Sequence, residues 1–288
     1  MSVDASVGVI LGSAFSSSSW GHEALTPCDV ETPWGEFRLW RSDVGGLGGP
    51  SGRPAYVSFR HGRPHSRLPH QIPYRAQAWA FREVGCAALL VTSSVGVLDG
   101  DIPLGRPILL DDLLMLDNRL PDGTACTMFV PPVIDAGHLI LSDGLFSMVL
   151  TRQVERLVAD SAHELAGRAV FGYAPGPRGK SRAENLAWSR LGAQVNSMTV
   201  APEVVLANEL EIPCAGLVVG HKYSTAEPTP GGDWGREADR TTPGVVDASL
   251  RDTRGPLTNL AAAFLRLAEP VPFTNQLYRF DVDRADDG

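Results

Sequence analysis

The sequence predicts an α/β fold with a mixed or mostly parallel sheet. Two observations carry this. Short apolar runs rich in Val, Ile and Leu stop at Gly, Ser or polar residues, as strands buried on both faces do. Segments of helical length and spacing alternate with them, which indicates strand–helix units. In chain order the expected strands are residues 7–11, 55–59, 87–91, 107–110, 169–173 and 215–219. The expected helices are 74–84, 146–165, 181–191, 202–210 and a closing one at 257–267. In the second, Val149, Leu150, Val154, Leu157 and Val158 form one apolar stripe. The fourth opens with Pro202 and Glu203, a proline where a missing N–H costs nothing and a carboxylate near the positive end of the helix dipole. Residues 43–53, 121–132 and 225–242, rich in Gly, Pro or Asp, read as surface loops or lids. Residues 281–288 read as an acidic, frayed tail, which leaves 1–280 as one domain.

Composition limits the function. With 288 residues and 43% hydrophobic content, the chain can bury a full core. A net charge of −8 argues against a nucleic-acid or membrane-surface binder, since phosphate backbones and anionic lipids repel such a surface. Cys28, Cys86, Cys126 and Cys214 are widely spaced and form neither a disulfide framework nor a zinc pattern. No apolar stretch approaches the roughly 20 residues of a membrane span, and the first residues lack a basic region followed by an apolar one. A reducing, cytoplasmic setting is expected.

The polar, glycine-containing segments follow the strands, where ligands bind in such folds. These are Gly12-Ser13-Ala14, Arg60-His61-Gly62-Arg63-Pro64-His65 and Thr92-Ser93-Ser94-Val95-Gly96, expected to be three loops converging on one anion. Arg60 offers charge and a planar fork of donors that suit phosphate, His61 imidazole donors beside it, and Gly62 a close backbone approach. The competing reading is a solvated turn rich in Arg and His.

Further tracts join these: Thr32-Pro33-Trp34-Gly35, Tyr74-Arg75-Ala76-Gln77, Gly176-Pro177-Arg178 with Ser181-Arg182-Ala183-Glu184, and Met198-Thr199 before Pro202-Glu203-Val204-Val205-Leu206-Ala207. Their order and spacing resemble the trimeric purine nucleoside phosphorylase family, most closely its 5′-methylthioadenosine phosphorylase branch, through most of the chain. The resemblance implies a single domain with a distorted mixed central sheet flanked by helices, a homotrimer, and cleavage of an N-glycosidic bond by phosphate. It implies no metal and no organic cofactor; phosphate is the co-substrate. Carried over by position, the phosphate site is Ser13, Arg60, His61, Ser93, Ser94 and Thr199, and Met198 touches the sugar. Ser93 and Ser94 as mere strand-end caps, and Met198 as core filler, are the plain alternatives. His65, His70, His138 and His163 read as structural.

The base half departs from the family. His221-Lys222-Tyr223-Ser224 stands where the adenosine branch has a Thr-Asp-Tyr-Asp pattern, so both carboxylates that would serve adenine are gone. Gly179 and Lys180 replace a stacking aromatic ring and its polar successor, and Ser197 replaces a common Asn. Lys180, Ser197, Lys222 and Ser224 are therefore the expected base pocket, with Lys222 or His221 assisting the leaving group. Lysines in place of carboxylates reverse the field and favour an acidic or oxo-substituted base. The alternative is that the lysines face solvent and the pocket is dead. The expected activity is phosphorolysis of a purine or modified-base nucleoside, possibly 5′-modified. Alternatives are a conventional methylthioadenosine or purine nucleoside phosphorylase, or a silent nucleoside-binding homologue. The expected partners are nucleoside and phosphate, with no nucleic acid and no membrane.

Overall fold

A computed structural model of the chain describes residues 5–15, 25–42, 53–131, 136–224 and 243–280. The expected loops at 43–52 and 225–242 and the tail at 281–288 lie outside the described residues. Eleven strands and five α-helices are described: β1 Ser6–Leu11, β2 Leu25–Val30, β3 Phe37–Ser42, β4 Ala55–Phe59, α1 Tyr74–Glu83, β5 Cys86–Val97, β6 Pro107–Leu114, β7 Ala136–Ile140, α2 Met148–Ala159, β8 Gly167–Tyr173, α3 Arg182–Arg190, β9 Val195–Ser197, α4 Ala201–Glu209, β10 Cys214–Tyr223, α5 Pro243–Leu267 and β11 Gln276–Phe280.

Nine strands form one mixed sheet in the order β10-β6-β8-β9-β5-β1-β4-β3-β2, and β10 also pairs with β5. That extra pairing closes β5, β10, β6, β8 and β9 into a five-stranded ring, the distortion expected of the central sheet. β7 and β11 form a separate antiparallel pair. At the centre β1 lies between β4 and β5, parallel to both, so the carboxyl ends of the three strands lie at one edge of the sheet, where ligands bind in such folds.

Alternation along β1 explains the layers. Val7, Val9 and Leu11 face a core with Leu150, Val154 and Val158 of α2 and Leu257, Leu260 and Phe264 of α5. Ile10 faces the other core, with Ala76, Ala80 and Phe81 of α1 and Val204 and Ala207 of α4. Contact with α1 is so close that a Cβ on Gly8 would lie 2.6 Å from the Phe81 ring. Among the described residues no helix is long and apolar enough to cross a membrane.

Several expected boundaries move, each for a physical reason. The Thr92–Gly96 segment is strand, not loop, because neighbours on both sides satisfy its backbone: Ser93 and Ser94 lie beside Val218 and Val219 of β10, and Gly96 beside Asn196 of β9. The helix expected at 146–165 is shorter, capped at its start by the Ser147 hydroxyl, which accepts from the Leu150 N–H, and ending at Ala159. The closing helix begins earlier, at Pro243, and carries Pro256 within it. Short strands such as β2, β3 and β9 give too little periodic signal to be read from sequence. The segment after Pro121 is not a free surface loop over its described part. Cys126 and Met128 are fully buried, Arg75 donates to the carbonyls of Thr127 and Ala125, and Glu209 accepts from the Met128 N–H.

Phe81 has no exposed surface and seals α1 to the sheet. Phe81→Ala is expected to cost about 3–5 kcal/mol, read as a lower urea midpoint at unchanged slope.

Candidate active site

A cavity of about 900 Å³ opens at the carboxyl ends of the central strands, and every residue expected in the site lines it. Ser13 comes from the turn after β1, Arg60 and His61 from the end of β4, and Ser93 and Ser94 from within β5. Ser197 ends β9 and Met198 and Thr199 follow it, Lys180 precedes α3, and His221 and Lys222 lie at the end of β10 with Ser224 just after it.

The anion end is organised by a residue that sequence reasoning passed over as a binding group. Glu203 is fully buried and accepts from Arg60 Nε and Nη2, both at 2.7 Å, while Arg60 itself is 1% exposed. Arg60 is thus a paired cation, which corrects the expectation that it supplies free charge. Burial pushes the Glu203 carboxyl upward, and Arg60 and the Val200 N–H oppose that shift. Its signal was present in the Pro-Glu start of α4, but charge at a helix start is ordinarily explained by the dipole alone. Arg60 Nη1 donates to Thr199 Oγ1 at 3.2 Å, so the threonine's own O–H is left to donate into the cavity. Gly12 makes room for this arrangement, since a Cβ there would lie 3.0 Å from Arg60 Nη1.

Val200 holds the two partners in place with a strained backbone. At φ 75° and ψ −62°, with Ala201 N–H donating to the Thr199 carbonyl at 3.0 Å, it forms a three-residue γ-turn that β-branched residues rarely adopt. This turn presents Thr199 to the cavity on one side and starts α4, with Glu203, on the other.

His61 is not the expected donor. Its Nδ1 lies 2.9 Å from the Arg67 carbonyl, which can only accept, so Nδ1 carries the proton. Burial, with Arg60 beside it, lowers its pKa to about 3, so the ring is neutral and Nε2 is an acceptor. Gly62 takes φ +84° to turn the chain, and its neighbour is the Ser66 hydroxyl; it does not line the cavity. Arg63 lies over Trp40 and Phe59 instead. Ser94 shares a 2.8 Å bond with Thr253 of α5, and Ser93 reaches Ser197 at 3.3 Å.

Met198 sits between the two ends. A Cβ on Gly176 would lie 2.5 Å from its sulfur, so that glycine creates its seat. Beyond it, Gly220 pairs with Val95 and Lys222 with Gly96, leaving His221 as an extra residue in a bulge of β10. Neighbouring residues of a regular strand face opposite ways; the bulge lets His221 and Lys222 both line the cavity. Burial, then Lys222 and Lys180, lowers the His221 pKa to about 4, and its buried Nδ1 has no partner. Burial and the nearby Lys222 lower the Lys180 pKa to about 8. Lys180 precedes Ser181, fixed by a capping box in which Ser181 and Glu184 bond each other's backbone N–H. Asn185 and Asn196, unforeseen, also line this end and bond each other at 3.1 Å. Among the described residues no Asp or Glu lines the cavity, and no His, Cys, Asp and Glu cluster could hold a metal.

Comparisons agree with this geometry. A family model described as the phosphorylase superfamily matches residues 7–237. A probable S-methyl-5′-thioinosine phosphorylase of Methanopyrus kandleri is 33% identical over 68% of this chain and 71% of its own length. The S-methyl-5′-thioadenosine phosphorylase of Danio rerio is 32% identical over 75% of each. The fold matches methylthioadenosine phosphorylase from Schistosoma mansoni in complex with adenine, at a TM-score of 0.73 and 21% identity over 91% of this chain and 90% of that one. With the matched span, the fold and these relatives together, the chain belongs to the nucleoside phosphorylases of the phosphorylase superfamily.

Proposed function

We propose that this protein cleaves the N-glycosidic bond of a purine or modified-base nucleoside with phosphate, releasing the free base and a pentose 1-phosphate. The carrying observation is the convergence of Ser13, Arg60, Ser93, Ser94 and Thr199 at one end of a cavity long enough to hold a sugar and a base beyond them. The activities named for the relatives, thioadenosine and thioinosine phosphorolysis, support the same reaction class.

The chemistry follows from the donors. Hydrogen phosphate keeps one P–O–H, which the neutral His61 Nε2 accepts, while Arg60 and the Thr199 hydroxyl donate to its other oxygens. Held so, a phosphate oxygen bonds to the anomeric carbon as the bond to the base nitrogen breaks. The electron pair leaves with the base. A bound dianion next to the sugar stabilises the positive charge that develops there, and positioning replaces a bimolecular encounter. Met198 supports the apolar face of the sugar. At the far end the protonated Lys180 and Lys222 steady the departing electron pair or give it a proton; His221, with its low pKa, contributes hydrogen bonds rather than acid. No cofactor beyond phosphate enters this scheme. The same reading takes the protein as a cytoplasmic homotrimer, supported by its four free cysteines and by Leu68, half exposed at the cavity mouth where a neighbouring subunit would cover it.

The test follows free-base release from a panel of purine and modified nucleosides, methylthioadenosine and inosine included, with and without phosphate. Base and pentose 1-phosphate are expected only with phosphate. Release without phosphate would make it a hydrolase, and nucleoside binding without any release a silent homologue.

Arg60→Ala removes a partner from a buried ion pair, so it is expected to lose about 3–5 kcal/mol of stability as well as activity. Arg60→Met with Glu203→Leu is expected to regain most of that stability in a thermal melt while phosphate-dependent turnover stays abolished. Recovery of turnover in the pair would remove Arg60 from the anion site.

Lys180 carries its charge below about pH 8 and loses it as pH rises through that value. Turnover assisted by that cation is expected to fall above about pH 8 in a kcat/KM profile, and Lys180→Arg to move the fall to higher pH.

A further inference from the structure

The phosphorolytic reading leaves the leaving group open, and the inference drawn here rests on that reading and narrows it. The chain has 25 Lys and Arg residues in all, of which only Lys180 and Lys222 are lysines. Both line the one cavity, although they come from unrelated elements, the loop before α3 and the end of β10. Neither has an ion-pair partner among the described residues. Glu184, which acts on Lys180 through its charge, is held two-pointed by Arg178 and by the Ser181 N–H. Among the described residues no carboxylate lines the cavity, and the buried His221 Nδ1 beside the lysines is without a partner.

Lys222 is exposed and Lys180 partly buried, and the two cations lie close enough to act on each other through their charges, with no counter-charge lining the cavity among the described residues. An anionic group on a ligand would supply that counter-charge. Strand register separates it from the phosphate end: Ser93 lies beside Val218, whereas Lys222 lies beside Gly96. Three residues of strand span about 10 Å, the reach from a phosphate at the anomeric carbon to the outer edge of the base.

We infer that the far end of the cavity binds a heterocyclic base bearing an ionised acidic substituent, a carboxylate in the simplest case, through Lys180 and Lys222, with His221 hydrogen-bonding beside it. A neutral adenine or hypoxanthine leaves the lysines unmatched and is the weaker ligand. The substituent stays on the base throughout; only the glycosidic bond breaks.

The test compares free bases of the same shape, purine-6-carboxylate and its neutral isostere purine-6-carboxamide, by calorimetric titration in saturating phosphate. Wild type is expected to bind the carboxylate about tenfold or more tighter. Lys222→Met and Lys180→Met are expected to bring the ratio towards one, mainly through weaker carboxylate binding, and Lys222→Arg to restore it. Equal or tighter binding of the carboxamide by wild type would overturn the inference. So would a preference for inosine 5′-monophosphate over inosine that Lys222→Met abolishes, since the lysines would then serve the 5′ end. The matching ribosides, assayed for turnover, separate the two readings. Carboxylate preference without phosphate-dependent cleavage would sink phosphorolysis alone, and phosphorolysis favouring neutral bases would sink the acidic-base assignment alone.

Discussion

The buried pair of Arg60 and Glu203 is the constraint around which the anion end is arranged. Two charges without solvent must satisfy each other, and the two-point geometry fixes the guanidinium plane. Once that plane is fixed, Nη1 meets Thr199, Gly12 can carry no side chain, and the start of α4 must sit against the end of β4. The γ-turn at Val200 is the backbone strain this arrangement requires, in keeping with the clustering of such outliers at ligand sites. The pair's near neutrality also shapes the anion site, which holds its ligand by aimed hydrogen bonds more than by net charge.

The two ends of the cavity solve opposite problems. One keeps its charges matched inside the protein and presents hydroxyls and a neutral imidazole. The other holds Lys180 and Lys222 with no ion-pair partner among the described residues, and in the proposed reading offers them to a ligand. In the proposed reading that division keeps the reaction fixed while the base can vary, since groups at the leaving-group end discriminate between bases and those at the anion end do not.

Much of this was legible in the sequence, for identifiable reasons. The central strands and the first four helices announce themselves through long apolar periodicity, and the site residues through motifs that sit at strand ends. What was hidden depends on contacts between distant residues. Ser93 and Ser94 look like a loop because hydroxyls are poor strand formers, yet pairing with β10 and β9 makes them strand. His61 looks like a donor until the Arg67 carbonyl claims its proton. Glu203 looks like a helix-start acid until Arg60, remote in sequence, is found upon it. The ring closed by β5 and β10 depends on a pairing that local pattern does not encode.

The bulge at His221 has an evolutionary consequence. Because the register of the β10 end shifts by one residue at the bulge, inserting or deleting a single codon there would change which of its side chains line the cavity. The phosphate grip, built on other strands, would be untouched. Such a hinge in the genetic text lets a lineage try new leaving groups in one step while keeping its reaction.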